Sequence, residues 1–183
     1  MNRKHVNFVT HEGFERLGNF SGRIEDYRKD KLDSAKEQIG FIRKSFPGKK
    51  ITVLELCSGN SRTLFALEKA GILESGHGIE ISSTRHKFAQ LWKKNWGFER
   101  VENINDDVVD FNFGRLNDLD LCICVDMAFQ YFEPIKNGNA LSILKRLNKK
   151  IKKDGKIILE LDGFERITSR IIDGNVKLCE DFS

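Results

Sequence analysis

Between Asp30 and Phe46 the apolar residues Leu32, Ala35, Ile39, Ile42 and Phe46 recur at alternating three- and four-residue spacing. That period lays them along one stripe of an α-helix, which Pro47-Gly48 ends. The pattern then changes. Ile51 to Leu56 is short, rich in β-branched side chains and apolar on both faces, as a buried parallel strand is. Ser58 to Ser61 forms a turn, and a helix runs to about Ala70 and stops at Gly71. The unit repeats with other lengths. His77 to Ile81 is a strand, Ser82 or Ser83 caps a helix, and Phe88, Leu91, Trp92 and Trp96 line its inner face up to Gly97. Val101 to Ile104 and Leu119 to Val125 are the third and fourth strands. Leu141, Leu144, Leu147 and Ile151 give another helical stripe, closed by Lys152-Lys-Asp-Gly155, and Lys156 to Leu161 makes the fifth strand.

Strands alternating with helices at this spacing predict an α/β fold, a doubly wound parallel sheet flanked by helices. The tail differs. Ile167 to Ile172 and Val176 to Phe182, joined by Asp173-Gly174-Asn175, read as an antiparallel β-hairpin, with no further closing strand evident. Residues 1 to 30 carry scattered Phe8, Phe14, Leu17 and Phe20 and suggest no regular element. We expect one domain over 1–183: a leading segment and helix (1–49), a core (50–162) and a hairpin appendage (163–183).

Composition narrows the class without naming a function. With 183 residues, 39% hydrophobic and 32% charged, the chain can bury a core of its own. A net charge of +4 is too small to argue for nucleic acid or anionic lipid. No apolar run is long enough to span a bilayer and Met-Asn-Arg-Lys-His opens no leader, so a cytoplasmic protein is expected. Cys57, Cys122, Cys124 and Cys179 form no Cys-x-x-Cys pair and have no histidine at ligand spacing. They read as buried thiols, and no metal is expected. His5, His11, His77 and His86 do not cluster, and none is expected to be catalytic. Lys149, Lys150, Lys152, Lys153 and Lys156 read as a solvated cationic helix end.

The candidate chemistry lies where strands end. Ile51-Thr-Val-Leu-Glu-Leu-Cys-Ser-Gly-Asn-Ser61 is an apolar run with an acid, Glu55, just before a turn. Gly59 there lets backbone approach a ligand, and Glu55 can accept hydrogen bonds from a cationic amine. Gly76-His-Gly-Ile-Glu-Ile81 repeats the arrangement, and Glu80 can take both hydroxyls of a ribose. The turn lacks the three glycines a pyrophosphate demands. Asn105-Asp-Asp-Val108 places Asp107, with the Val108 amide beside it, where an adenine amino group could be read. Asp126-Met-Ala-Phe-Gln-Tyr-Phe132 is an aromatic loop after the fourth strand, where substrates meet cofactors in such folds. This describes a nucleoside-binding crevice.

These residues carry a resemblance. Glu55-Leu-Cys-Ser-Gly59 resembles the first motif of class I S-adenosylmethionine-dependent methyltransferases, Ile79-Glu80-Ile81 their second, and Asn105 to Val108 their third. Leu119 to Phe132 and Leu144 to Leu161, with Lys153-Asp-Gly-Lys156, resemble the fourth strand and the following helix-turn-strand of the small-molecule branch. The match covers about residues 50 to 162 and lies in order and spacing. It implies a Rossmann-like fold and S-adenosylmethionine as cofactor. It further implies Glu55, Cys57, Ser58 and Gly59 along the methionine portion, Glu80 on the ribose, Ile81 against adenine, Asp107 on the adenine amino group, and Val125 and Asp126 flanking the sulfonium. Cys57 and Ser61 depart from the family, which usually has glycine there. Members of this branch often carry an added hairpin and then closing strands, so Arg166 to Ser183 resembles that hairpin in a shortened chain or an unusually small variant.

The expected function is methyl transfer to a nitrogen or oxygen of a small molecule. Asp126 and Tyr131 are the nearest candidates to take a proton, and Tyr27, Phe129, Gln130 and Tyr131 are candidates to touch the acceptor. RNA or protein methylation, and non-catalytic adenosylmethionine binding, are the alternatives. The fourth-strand loop lacks an Asp/Asn-Pro-Pro-Tyr/Phe motif, which makes nucleic acid the weaker partner. The oligomeric state is left open.

Overall fold

A computed structural model of the protein describes residues 24–132 and 138–161. The elements in chain order are α1 (Ile24–Ser34), α2 (Lys36–Ser45), β1 (Ile51–Leu56), α3 (Arg62–Lys69), β2 (Leu73–Glu80), α4 (Ser83–Trp96), β3 (Val101–Asn105), β4 (Leu119–Cys124), α5 (Asn139–Asn148) and β5 (Ile151–Leu159). Single 3₁₀ turns lie at Phe113–Arg115 and Ala128–Tyr131. The sheet is ordered β3-β2-β1-β4-β5 and every neighbouring pair is parallel. This is the doubly wound α/β architecture expected, and the order reverses direction between β1 and β4. In such sheets the crevice outside the strands' carboxyl ends at that reversal is where ligands bind.

Two apolar layers sandwich the sheet. On one face Leu32, Ile42, Leu64, Phe65, Leu67, Phe88 and Trp92 from the first four helices pack on Val53, Leu73, Val101 and Leu121. On the other, Leu54, Leu56, Ile79, Ile104 and Cys122 meet Phe111, Phe113, Leu116, Ile143 and Leu147. The central strands are therefore buried on both sides, which explains why β1 and β4 read as nearly continuous apolar runs.

Several element boundaries move. The single helix expected from Asp30 is two helices, starting at Ile24 and broken at Ala35, whose N–H bonds to the Leu32 carbonyl three residues back at 3.1 Å. Ala35 is fully buried, so the tightened turn keeps the apolar stripe on the sheet. β2 starts at Leu73, four residues before His77. Glu74 and Ser75 obscured it because that stretch of β2 is not buried on both faces. Ile151 opens β5 rather than closing α5, and Leu91 and Leu141 face outward at 58% and 56% exposure. Lys152 to Gly155, expected to end that helix, lies inside β5 beside a register shift opposite Leu119 and Leu121. A Cβ at Gly155 would sit 2.5 Å from Ile151 Cγ2 and 2.9 Å from the Leu119 carbonyl oxygen, so glycine is needed for the irregularity. The cap of α4 is Ser82, whose hydroxyl accepts the Arg85 N–H at 3.3 Å. The expected hairpin, Cys179 and the leading phenylalanines lie outside the described residues. No helix among the described residues is long and apolar enough to cross a membrane.

Candidate cofactor crevice at the carboxyl edge of the sheet

The parallel register brings the acidic strand ends to one edge. Glu55 lies opposite Gly78 on β2 and Ile123 on β4, and Glu80 lies opposite Asn105 on β3. Turns after β1 and β2 are joined by Glu80 itself. Its Oε2 accepts the Gly59 N–H at 2.8 Å and its Oε1 accepts the Ser82 N–H at 2.8 Å. The Asn105 side chain donates to the Glu80 and Ile81 carbonyls at 2.8 and 3.1 Å, which ties the end of β3 to the end of β2.

The turn after β1 is left-handed three times, at Cys57 (φ 53°), Gly59 (φ 56°) and Ser61 (φ 61°). Two of these are the departures from glycine noted in the sequence, so both non-glycine residues carry backbone strain. Ser61 has a compensation, because its hydroxyl accepts the Asn103 amide at 2.6 Å. Cys57 rests on the thiol of Cys124, and that contact together with burial pushes its own thiol well up from the ordinary value. Burial does the same to Cys122, so these two thiols behave as small apolar groups. Ser58 is buried against Gly78, where a Cβ would come within 2.8 Å of the Ser58 hydroxyl. β2 thus needs glycine to let the turn settle on it.

Glu55 is 1% exposed, and its Oε2 has no hydrogen-bond partner among the described residues. Burial pushes its carboxyl up from 4.5 to about 8, although the Thr63 hydroxyl and the Arg62 guanidinium act the other way. Asp107 is half-buried, accepts the Val109 N–H at 2.9 Å and has Val108 behind it in the core. Val125 is buried and Ile81 half-buried at the ends of β4 and β2. Asp126 stands out from the edge with its side chain 66% exposed.

The loop after β4 divides its aromatics. Phe129 packs against Phe132 in the core, ring centres 5.5 Å apart, whereas Gln130 and Tyr131 face outward. Phe129, read from the sequence as an acceptor-facing side chain, therefore anchors the loop. Tyr27 on α1 reaches the turn after β1, its hydroxyl accepting the Asn60 amide at 3.5 Å while its ring packs edge-on to Phe88.

Three side chains of this edge were not singled out in the sequence. Arg62 bonds to Ser34 and Asp126, Gln38 donates to Glu160 at 3.5 Å, and Glu160 accepts the Asp126 N–H at 3.1 Å. Only the position of Arg62, directly after the turn, could have signalled it. An open cleft of about 660 Å³ lined by Ser75, His77, Lys93, Arg100 and Glu102 lies instead by the amino-terminal halves of β2 and β3. There His77 pairs with Glu102 at 2.8 Å, away from the acidic edge.

No family model matches the sequence, and no curated protein is detectably similar to it in sequence. Solved structures are similar in fold. The PH0226 protein of Pyrococcus horikoshii superposes with a TM-score of 0.61 at 23% identity, over 84% of this chain and 65% of its own. An S-adenosylmethionine-dependent methyltransferase of Clostridium acetobutylicum gives 0.60 at 13% identity, over 85% and 60%. CalS10, an amino pentose methyltransferase of Micromonospora echinaspora solved with S-adenosylmethionine bound, gives 0.58 at 15% identity, over 87% and 59%. This chain spans less than two thirds of the length of each. The five-stranded parallel sheet and the agreement with these structures establish that the chain has the Rossmann-like fold of class I S-adenosylmethionine-dependent methyltransferases.

Proposed function

We propose that the chain binds S-adenosylmethionine at this edge and transfers its methyl group to a nitrogen or oxygen of a small molecule. The observation that carries the reading is Glu80. A buried carboxylate that joins the turns after β1 and β2 stands at the carboxyl edge of the sheet beside its reversal point, where an acid at the end of the second strand suits a ribose. The residues present fit the rest of the cofactor. Glu55 offers a buried orphan oxygen to an ammonium, and Cys57, Ser58 and Gly59 line the same portion. Ile81 would suit one face of adenine, with Asp107 and the Val108 amide for its edge, and Val125 and Asp126 would flank the sulfonium. The structure of CalS10, whose acceptor is an amino sugar by its description, supports a small-molecule acceptor. A cytoplasmic setting accords with this.

When bound, the cofactor supplies a methyl group already activated by its sulfonium. The chain's own contribution is then position and exclusion of water. Tyr27 and Tyr131 border the crevice and Gln130 can orient a polar acceptor. Asp126 or Tyr131 can receive a proton where the acceptor must lose one.

Calorimetric titration with S-adenosylhomocysteine tests the site. Wild type is expected to bind saturably, and Glu80→Ala to bind at least tenfold more weakly, since a charged hydrogen-bonding group is lost. Equal affinity in the two proteins would overturn the assignment.

A further inference from the structure

We infer that Ser75, His77 and Glu102 form a second catalytic group, apart from the cofactor crevice, that hydrolyses small carboxylic esters through an acyl-serine. The inference does not depend on the cofactor reading above.

The sheet itself assembles the group. Ser75 and His77 lie two residues apart on β2 and so share one face of it, and His77 stands directly opposite Glu102 in the parallel register with β3. His77 Nδ1 lies 2.8 Å from Glu102 Oε2. An ionised carboxylate can only accept, so the neutral ring carries its proton on Nδ1 and leaves Nε2 as an acceptor. That nitrogen faces Ser75 Oγ at 3.4 Å, a separation typical of nucleophile and base before a substrate draws them together. Hydroxyl, imidazole and carboxylate thus stand in the order that activates a serine. No spacing in the chain signals the group, because Glu102 reaches His77 only across the sheet.

Two further observations suit the chemistry. Ile51 pairs with Leu73 and Thr52 with Ser75, so Glu74 is an extra residue that bulges β2 just before the serine. The Glu74 carbonyl accepts from Arg100 Nη1 at 3.2 Å, which holds a guanidinium one peptide unit from Ser75. That cation can receive the negative charge that develops on an ester's carbonyl oxygen. All four side chains line the open cleft of about 660 Å³, which has room for a small ester. His77 is 21% exposed there, accessible from the cleft and oriented by Glu102.

In the first step Ser75 Oγ forms a bond to the ester's carbonyl carbon and passes its proton to His77 Nε2. The bond from that carbon to the alkoxy oxygen breaks, and the alcohol leaves with the proton. Water then attacks the acyl-serine, giving its proton to His77, which returns it to Ser75 as the carboxylic acid departs. Ser75 and His77 are the catalytic residues, and Glu102 is a positioning residue that acts through His77.

The probe is p-nitrophenyl acetate. The full chain is expected to turn it over, and acid quenching during turnover should trap an acetyl group on Ser75, located by peptide mass spectrometry. Ser75→Ala and His77→Gln should each lower kcat at least about tenfold. Glu102→Gln should lower kcat about tenfold with KM within about twofold, a split that loss of binding alone would not give. Circular dichroism establishes that each variant is folded, and the acetyl group's position in wild type decides the matter for any variant that is not. No turnover by the folded wild type, acetyl groups on lysines alone, or an unchanged kcat in Ser75→Ala would overturn the inference.

Discussion

Cys57 and Ser61 show how residues of one turn can bear the same strain for different reasons. Both hold positive φ where glycine would be relaxed, but Ser61 returns a hydrogen bond from the Asn103 amide, whereas Cys57 has only a weak thiol contact with Cys124. Cys57→Gly is therefore expected to stabilise the protein by about 0.5–1 kcal/mol, relief of left-handed strain exceeding the added chain entropy. Ser61→Gly should give no gain, because the Asn103 amide loses its acceptor at a loss of about 1 kcal/mol. Urea unfolding of the two variants checks the contrast. Glu55 makes a different prediction. In the unfolded chain it ionises near 4.5, whereas the folded protein keeps its proton to about 8. Between those values the folded state binds the extra proton, so this group's contribution to stability is full below about 4.5 and is lost as pH rises to about 8. Glu55→Gln removes the dependence, and its stability relative to wild type should grow by about 4 kcal/mol from pH 5 to pH 8.5.

At the scale of elements, the site is held by close approach between β2 and the turn at the head of α3. Gly78 makes that approach possible, since a Cβ would lie 2.8 Å from the Ser58 hydroxyl, 2.9 Å from its Cβ and 3.1 Å from Leu64 Cδ1. Gly78→Ala is expected to destabilise by about 1–3 kcal/mol through overpacking. Because the displaced residue belongs to the turn, binding of S-adenosylhomocysteine should weaken along with stability. Preserved binding would detach Ser58 from the site. The paired helices α1 and α2 act at the same scale: they bring Tyr27, Ser34 and Gln38 to the edge, and the break at Ala35 keeps both helices seated on the sheet.

Across the whole molecule, one sheet is shared by two cores, and both tryptophans lie on the same side. Trp92 is fully buried among Phe65, Phe88 and Trp96. Trp92→Ala should destabilise by about 3–5 kcal/mol, and Leu147→Ala on the opposite face by about 2–5 kcal/mol. Tryptophan fluorescence reports only the helical side holding α1 to α4. Its denaturation curve should nevertheless coincide with that from far-ultraviolet circular dichroism, including in Leu147→Ala, because the central strands cannot lose one layer and keep the other.

Whatever depends on local period and spacing was determined by the sequence alone: the five strands, the alternation with helices, the glycine stops at Gly71 and Gly97, and the succession of Glu55, Glu80 and Asp107 at strand ends. Burial on both faces writes itself into β1 and β4 as apolar runs, and a strand end followed by a cap is a local signal. Tertiary structure alone decided what depends on meeting across the fold. The identity of Arg62's partners, the clamp that Glu80 makes between two turns, the inward Phe129 and outward Tyr131, and the extension of β5 through Lys152 to Gly155 all arise from strands and loops far apart in the chain. No local period encodes the register that brings them together.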